Sequence, residues 1–343
     1  MREGWRDSRL SLTRYYTLRR FLPPGLWGAV MPSFTVGLLM LSIFAHAPAR
    51  DRNKRNQQVE RIAAADPRVI VSACTLSGSF TVRGWNRNEV RVRVSDGIEI
   101  ELTRIDQRKS ERATELRVTS KSHRSNHSCL MFGDIEMDVP QGANVKLQTT
   151  SGDISVADVA RVNVTTTSGD IKLAKMQEDT SATVIGGDIF VRDSTGSFNL
   201  HSTGGSIDAR DVAPGAASDS VTASTVSGEV TLTHVQHQSV SAKSVSGEVT
   251  YSGALIRNGS YNFENLSGEV RVLLPASSSF RLLASVGESV KITSDFDLKY
   301  NENQNVIPPG NRSTPRHTSA TVGSGASLIR VSLLTGSLRI SKQ

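Results

Sequence analysis

The sequence predicts an all-β fold, a single-stranded parallel β-helix (β-solenoid), and three observations carry that expectation. A short phrase of the form Ser-Gly-acid-aliphatic-x-aliphatic returns again and again between residues 151 and 272. After each glycine, polar and aliphatic residues alternate with the period of a strand that buries one face. The composition is rich in Gly (27 residues), Ser, Thr and Val and poor in aromatics (5%), and no 3.6-residue periodicity competes for helix. Self-similarity of this kind marks a repeat fold, in which each unit closes its core only against its neighbours.

In chain order, the first element is an N-terminal targeting segment over residues 1–47. Six arginines against Glu3 and Asp7 precede an uncharged run from Phe21 to Ala49, whose most apolar part is Phe34–Phe44. Ala45 and Ala47 then form a small-x-small cleavage pattern of signal-peptidase type. The segment is therefore read as a signal peptide cleaved near Ala47. The other reading is a retained membrane tether through residues 21–47, since the charge-free run is long enough to span a bilayer. Either way the remainder is exported, to the periplasm or cell envelope. Residues 48–68 read as a polar linker, and the β domain is expected over 69–343.

The first β segment, 69–147, alternates at Val69–Val71, Phe80–Val82, Val90–Val94 and Ile98–Leu102. It is read as irregular N-terminal strands that cap the open end of a solenoid. It also holds the two cysteines of the chain, Cys74 and Cys129. In an exported chain an even, minimal count favours one disulfide. His123, His127 and Cys129 lie close in sequence, but three residues without further ligands are a poor metal signal, and no metal or other cofactor is expected.

The repeats follow, with central glycines Gly152, Gly169, Gly187, Gly205, Gly228, Gly247 and Gly268. Each is expected to turn the chain, because glycine adopts positive φ without steric cost. Alternation places Ile154, Ile171 and Ile189 inside and Asp153, Asp170 and Asp188 outside. A second strand in each unit supplies Val162 and Val164, Ala182 and Val184, Phe198 and Leu200, Val221 and Ala223, Val240 and Ala242, and Tyr261 and Phe263 as further core. One unit could not offset the ordering cost of its residues, about 1–2 kcal/mol each for the backbone; a stack can. A right-handed coil is favoured. If the glycines share one corner, the acids form a ladder, which either splays and bonds to turn amides or holds a cation such as Ca²⁺. After Ile292 the pattern gives way to a loop over 301–319 and resumes at 328–340 as a final coil.

Chemistry is scarce. No P-loop, nucleophile elbow, HExxH or dinucleotide fingerprint is present. The outward positions Ser155, Lys172, Asp208, Thr231, Thr250 and Arg271 do not gather into an acid–base cluster, and His234 and His237 read as solvated turn residues. The net charge is +7, but residues 145–255 hold 7 basic and 12 acidic residues, so no basic face for nucleic acid is expected.

The Ser-Gly-Asp/Glu repeats, the opening Gly78-Ser79-Phe80-Thr81-Val82-Arg83-Gly84-Trp85 and the closing Gly336-Ser337-Leu338-Arg339-Ile340 resemble a family of bacterial adhesin-like β-repeat proteins that carry a domain of unknown function. The chain departs from the pattern at Gly205-Ser206, which lacks the acid. The resemblance implies an envelope β-solenoid with no catalytic residues to carry over. The expected function is a non-enzymatic, exported cell-surface protein that presents an extended surface to an unidentified glycan or protein. The alternative is a membrane-anchored envelope sensor or accessory factor acting with membrane proteins.

Overall fold

The computed structural model describes residues 59–95, 99–106, 111–120, 131–300 and 316–343. Within them the chain is all-β, with no helix, and its strands join one continuous sheet. The expected signal or anchor segment, with Ala45 and Ala47, lies outside the described residues. No helix among the described residues is long and apolar enough to cross a membrane.

The N-terminal part comprises β1 (Val59–Ser77), β2 (Phe80–Trp85), β3 (Glu89–Val94), β4 (Ile100–Arg104), β5 (Ala113–Ser120), β6 (Met131–Phe132) and β7 (Ile135–Pro140). The strand starts at Val59, so the linker expected over 48–68 is too long at its C-terminal end. Val59–Ala64 pair antiparallel with Glu89–Val94. The charged residues Glu60 and Arg61 disguised this stretch: as neighbours on a strand they face opposite ways, Glu60 exposed and Arg61 half-buried, and an edge strand leaves both faces open enough to water to tolerate them.

The repeats form β8 (Asn144–Ser151), β9 (Ile154–Ala157), β10 (Arg161–Ser168), β11 (Ile171–Ala174), β12 (Thr180–Gly186), β13 (Ile189–Thr195), β14 (Phe198–Ser202), β15 (Ile207–Ala213), β16 (Ser220–Ser227), β17 (Val230–Val235), β18 (Ser239–Ser246), β19 (Val249–Ser252) and β20 (Ser260–Leu274). Strands pair in parallel with the second strand on in sequence, β8 with β10, β10 with β12, β9 with β11 and so on. Each coil thus contributes two strands, one to each wall. Ile154, Ile171, Ile189, Ile207, Val230, Val249 and Val270 stack in register along one wall, all fully buried. Along the other wall the second-strand residues expected inside are buried too.

A further inward row is polar. Thr149, Thr166, Ser202, Thr225, Ser244 and Asn265 are buried just before the turn. Each is satisfied by a carbonyl at the turn: Thr166 Oγ1 donates to Ser168 O at 3.1 Å, Thr225 Oγ1 to Gly205 O at 2.8 Å and Asn265 Nδ2 to Gly247 O at 2.8 Å. A turn pointing its carbonyls inward would otherwise leave them unpaired, at a cost of about 1–3 kcal/mol each.

The chain closes with β21 (Phe280–Val286), β22 (Lys291–Ser294), β23 (Lys299–Tyr300), β24 (Arg316–Val322) and β25 (Ser327–Lys342). The segment expected as a final coil is not the last rung. β25 lies between β20 on one side and β21 and β22 on the other. The same device operates at the opposite end, where residues 70–77 of β1 lie between β8 and the strands β5 and β6, and β2 lies between β9 and β7. Residues 70–77 of β1 and most of β25 are thereby hydrogen-bonded along two edges instead of one, which suppresses fraying, while Val59–Ala64 pair along one.

Candidate binding surface

The repeat glycines stand in one column, Gly78, Gly152, Gly169, Gly187, Gly205, Gly228, Gly247, Gly268 and Gly336, each under the next. A Cβ on any of them would overlap the carbonyl oxygen of the glycine below, well inside the 3.0 Å that real Cβ atoms respect. Positive φ is part of the reason at Gly169 (119°), but Gly187 and Gly205 are outside the positive-φ set. Close approach of successive rungs is the demand common to all of them.

The acids beside this column form a ladder of a specific kind. Asp153 Oδ1 accepts the amide of Asp170 at 2.9 Å, Asp170 Oδ1 that of Asp188 at 3.1 Å, and Asp188 Oδ1 that of Ser206 at 2.7 Å. Where the acid is missing, Ser206 Oγ takes the amide of Glu229 at 3.2 Å. At the far N-terminal rung Asp134 accepts the amide and hydroxyl of Ser79, and these bonds hold its carboxyl below the usual carboxylate range. The glutamates behave differently. Glu248 and Glu269 both pair with Arg271 at 2.9 Å, an option the longer side chain opens. Among the described residues no three His, Cys, Asp or Glu groups gather as a metal site.

The ladder makes a test simple. Asp170→Ala is expected to cost about 1 kcal/mol by orphaning the Asp188 amide, and Asp170→Asn much less, because its Oδ1 can still accept. Millimolar calcium is expected to leave the melting temperature of both variants and of the native protein unchanged. A calcium-dependent rise that Asp170→Asn removes would contradict this account.

A second corner carries a column that sequence reasoning missed. Asp158, Lys175, Asp193, Asp211 and His234 all have φ between 51° and 60°. The signal was present, since each stands six residues after a column glycine. Lys175 pairs with Asp158 at 3.9 Å and His234 with Asp211 at 3.0 Å. His234 is exposed, as read from the sequence, but His237 is not. It is fully buried against Phe198, with Nε2 donating to Gly196 O at 2.8 Å and Nδ1 unpartnered. Burial pushes its pKa down, opposed by that bond and by Asp219. The unfolded chain then binds the proton more readily, so stability is expected to fall as pH drops below about 6.5, by at most about 1.4 kcal/mol per pH unit. His237→Gln should flatten acid melting over that window.

Cys74 lies on β1 and is disulfide-bonded, while Cys129 lies outside the described residues. A Cys74–Cys129 bridge is expected, with thiol labelling of denatured, non-reduced protein finding no free thiol. Its 54 enclosed residues would make it worth about 4 kcal/mol by chain entropy.

Outside, the wall formed by β8, β10, β12, β14 and β16 carries a cavity of about 440 Å³. Its rims are two outward columns in register: Asn144, Arg161, Asp179, Ser197 and Ser220, and beside them Lys146, Asn163, Ser181, Asn199 and Thr222. Val162, Thr180 and Phe198 lie beneath. Arg161 is engaged by Glu178 at 2.7 Å and Asp179 at 3.6 Å. Along the edge toward the glycine column, Leu76, Ile185, Val226, Leu266 and Leu334 are exposed, each two residues before a column glycine, with Thr150, Thr167 and Thr203 at the same position on intervening rungs. On the other wall, Phe190 is half-buried between Lys172 and Asp208 of adjacent rungs.

Comparison with known proteins places this architecture. The family model described as Toastrack DUF4097 matches residues 76–325. No curated protein matches the chain. A Bacteroides fragilis structure described as a candidate adhesin is 12% identical over 84% of this chain and 99% of that chain, with a TM-score of 0.41. A candidate lipid-binding protein from Parabacteroides distasonis is also 12% identical, over 84% and 97%, with a TM-score of 0.36. A candidate cell adhesion protein from Clostridium sporogenes is 12% identical over 84% and 100%, with a TM-score of 0.23. Superpositions this loose carry no weight for the function of this chain.

Proposed function

We propose, since the chain belongs to the Toastrack DUF4097 family, that it is a non-enzymatic, exported protein of the bacterial envelope that presents an extended solenoid wall to a partner in an adhesin-like role. The observation that carries the reading is the character of its outward side chains. On the β9–β20 wall most of the outward charges neutralise one another, Arg192 and Arg210 on Asp208 and Arg271 on Glu248 and Glu269, as structural ion pairs do, while Lys172 is exposed to solvent. On the β8–β16 wall a concave, polar strip several rungs long is left for a partner. A repeat fold supports such a surface well, because every added rung extends it without changing the core.

Export is part of the proposal and rests on the arginine-flanked apolar run before Ala45 and Ala47. Mass spectrometry of the mature N-terminus decides between its two forms. A start near Pro48 fits a released surface protein, and an intact segment 21–47 fits the membrane-anchored sensor or accessory factor. The binding role is tested by co-sedimentation of the mature protein with isolated bacterial envelopes. Saturable association is expected; a protein that stays in the supernatant overturns the reading.

A further inference from the structure

We propose that the cavity over β8–β16 is a binding groove for a linear acidic polysaccharide, in which Lys146 meets a carboxylate and Asn163, Ser181, Asn199 and Thr222 meet the hydroxyls of successive sugars. This rests on the partner-binding reading above and assigns the partner its chemistry. The cavity, about 440 Å³, falls in the range of about 300–1,000 Å³ typical of ligand sites. It runs over five successive rungs, so its floor is about 19 Å long at the inter-strand spacing of about 4.8 Å. That spacing is close to the length of one pyranose unit in an extended chain, which brings one new sugar to each rung.

The five side chains of the inner column share a property. Lys146, Asn163, Ser181, Asn199 and Thr222 stack in register and face outward. None of them has a side-chain hydrogen bond or ion pair among the described residues. Farther along the same wall the outward polar groups satisfy each other, His201 with Ser224 at 2.9 Å, Asn262 with Glu264 at 2.9 Å and Lys243 with Glu264 at 3.3 Å. Amides and hydroxyls offer donors and acceptors together, which suits a ligand whose hydroxyls do the same.

Charge decides between partners. Lys146 is the one cation of the groove without an acid, because Glu178 and Asp179 hold Arg161. A nucleic acid would bring a phosphate to every step and find one cation to meet them. A peptide strand could not augment this wall, since the backbone groups of β10, β12 and β14 are paired on both edges. A hydroxyl-rich chain that carries carboxylates complements both the neutral column and the single ammonium.

The test titrates the mature protein with two sparsely charged acidic hexamers, a hyaluronan hexasaccharide with a carboxylate on every second sugar and cellohexaose oxidised to the uronate at a single C6, and with cellohexaose itself as a neutral probe. Binding of at least one acidic hexamer is expected, tighter than cellohexaose. Asn163→Ala combined with Asn199→Ala should weaken it by about tenfold or more. Lys146→Gln should weaken it by about two- to fivefold and leave any cellohexaose binding unchanged. All three side chains are outward, so unchanged melting of the variants shows that the fold is intact. Failure of both acidic probes, or acidic binding that the double variant does not change, overturns the groove. Equal or tighter binding of cellohexaose overturns the acidic assignment. If the double variant still co-sediments with envelopes as the native protein does, the groove falls and the surface role stands. If the native protein itself does not co-sediment, it is the surface role that falls.

Discussion

Gly247→Ala is expected to destabilise the solenoid by about 2–6 kcal/mol. Two separate costs meet at this residue. Its φ of 149° lies where L-residues carry about 1–3 kcal/mol of strain. An added Cβ would also overlap Gly228 O and come within 3.3 Å of Ser244 Oγ. Neither neighbour is free to move, because Ser244 Oγ donates to that same Gly228 carbonyl at 3.0 Å. Overpacking of this kind costs about 1–3 kcal/mol more. The adjacent Ser246 is exposed, so Ser246→Ala should stay within about 0.5 kcal/mol of the native protein. Thermal and denaturant melts of the two variants check this, and equal stability of the two would refute the close-approach account.

Phe263→Ala is the second large effect, about 3–5 kcal/mol. Phe263 is fully buried, 5.6 Å from the Tyr251 ring, which in turn packs edge-on against Tyr261 at 5.4 Å. Its neighbours above and below in the stack are Ala242 and Val331, too small to fill the space a lost ring leaves. The rungs are held at hydrogen-bonding distance, so the cavity has little room to collapse. Since each rung touches mainly its neighbours, the loss should be local. Hydrogen exchange is expected to quicken in β18, β20 and β25 and to change little in β8 and β10. Uniform loss of protection over all rungs would show instead that the stack unfolds as one unit.

The candidate surface was legible only in part. The outward set named from the sequence lies on the β9–β20 wall, where ion pairs engage its Asp208 and Arg271. The strip with unpartnered groups belongs to the second strand of each unit, which had been read for its inward residues alone. Asn163, Ser181 and Asn199 look unremarkable one at a time; their meaning comes from stacking in register. His237 was misread because a histidine between two strands is usually solvated, whereas here the loop around Asp219 and the Gly196 carbonyl enclose it. The acid ladder could be foreseen as a ladder. That each aspartate reaches the amide of the next rung, and that Glu248 and Glu269 turn to Arg271 instead, depends on side-chain length within a geometry the sequence does not state.

By itself the sequence determined the all-β class, the spacing of the units, the inward residues from Ile154 to Phe263 and the glycines that must turn. These follow from local physics, the two-residue period of a strand and the absence of a Cβ in glycine, which repeat wherever the phrase repeats. The tertiary structure alone decided the order of the rungs at the two ends. β1 and β2 sit inside β5–β7, and β25 sits between β20 and β21. That choice depends on which pairing leaves the fewest unsatisfied backbone edges, a property of strands far apart in sequence, and no local pattern encodes it.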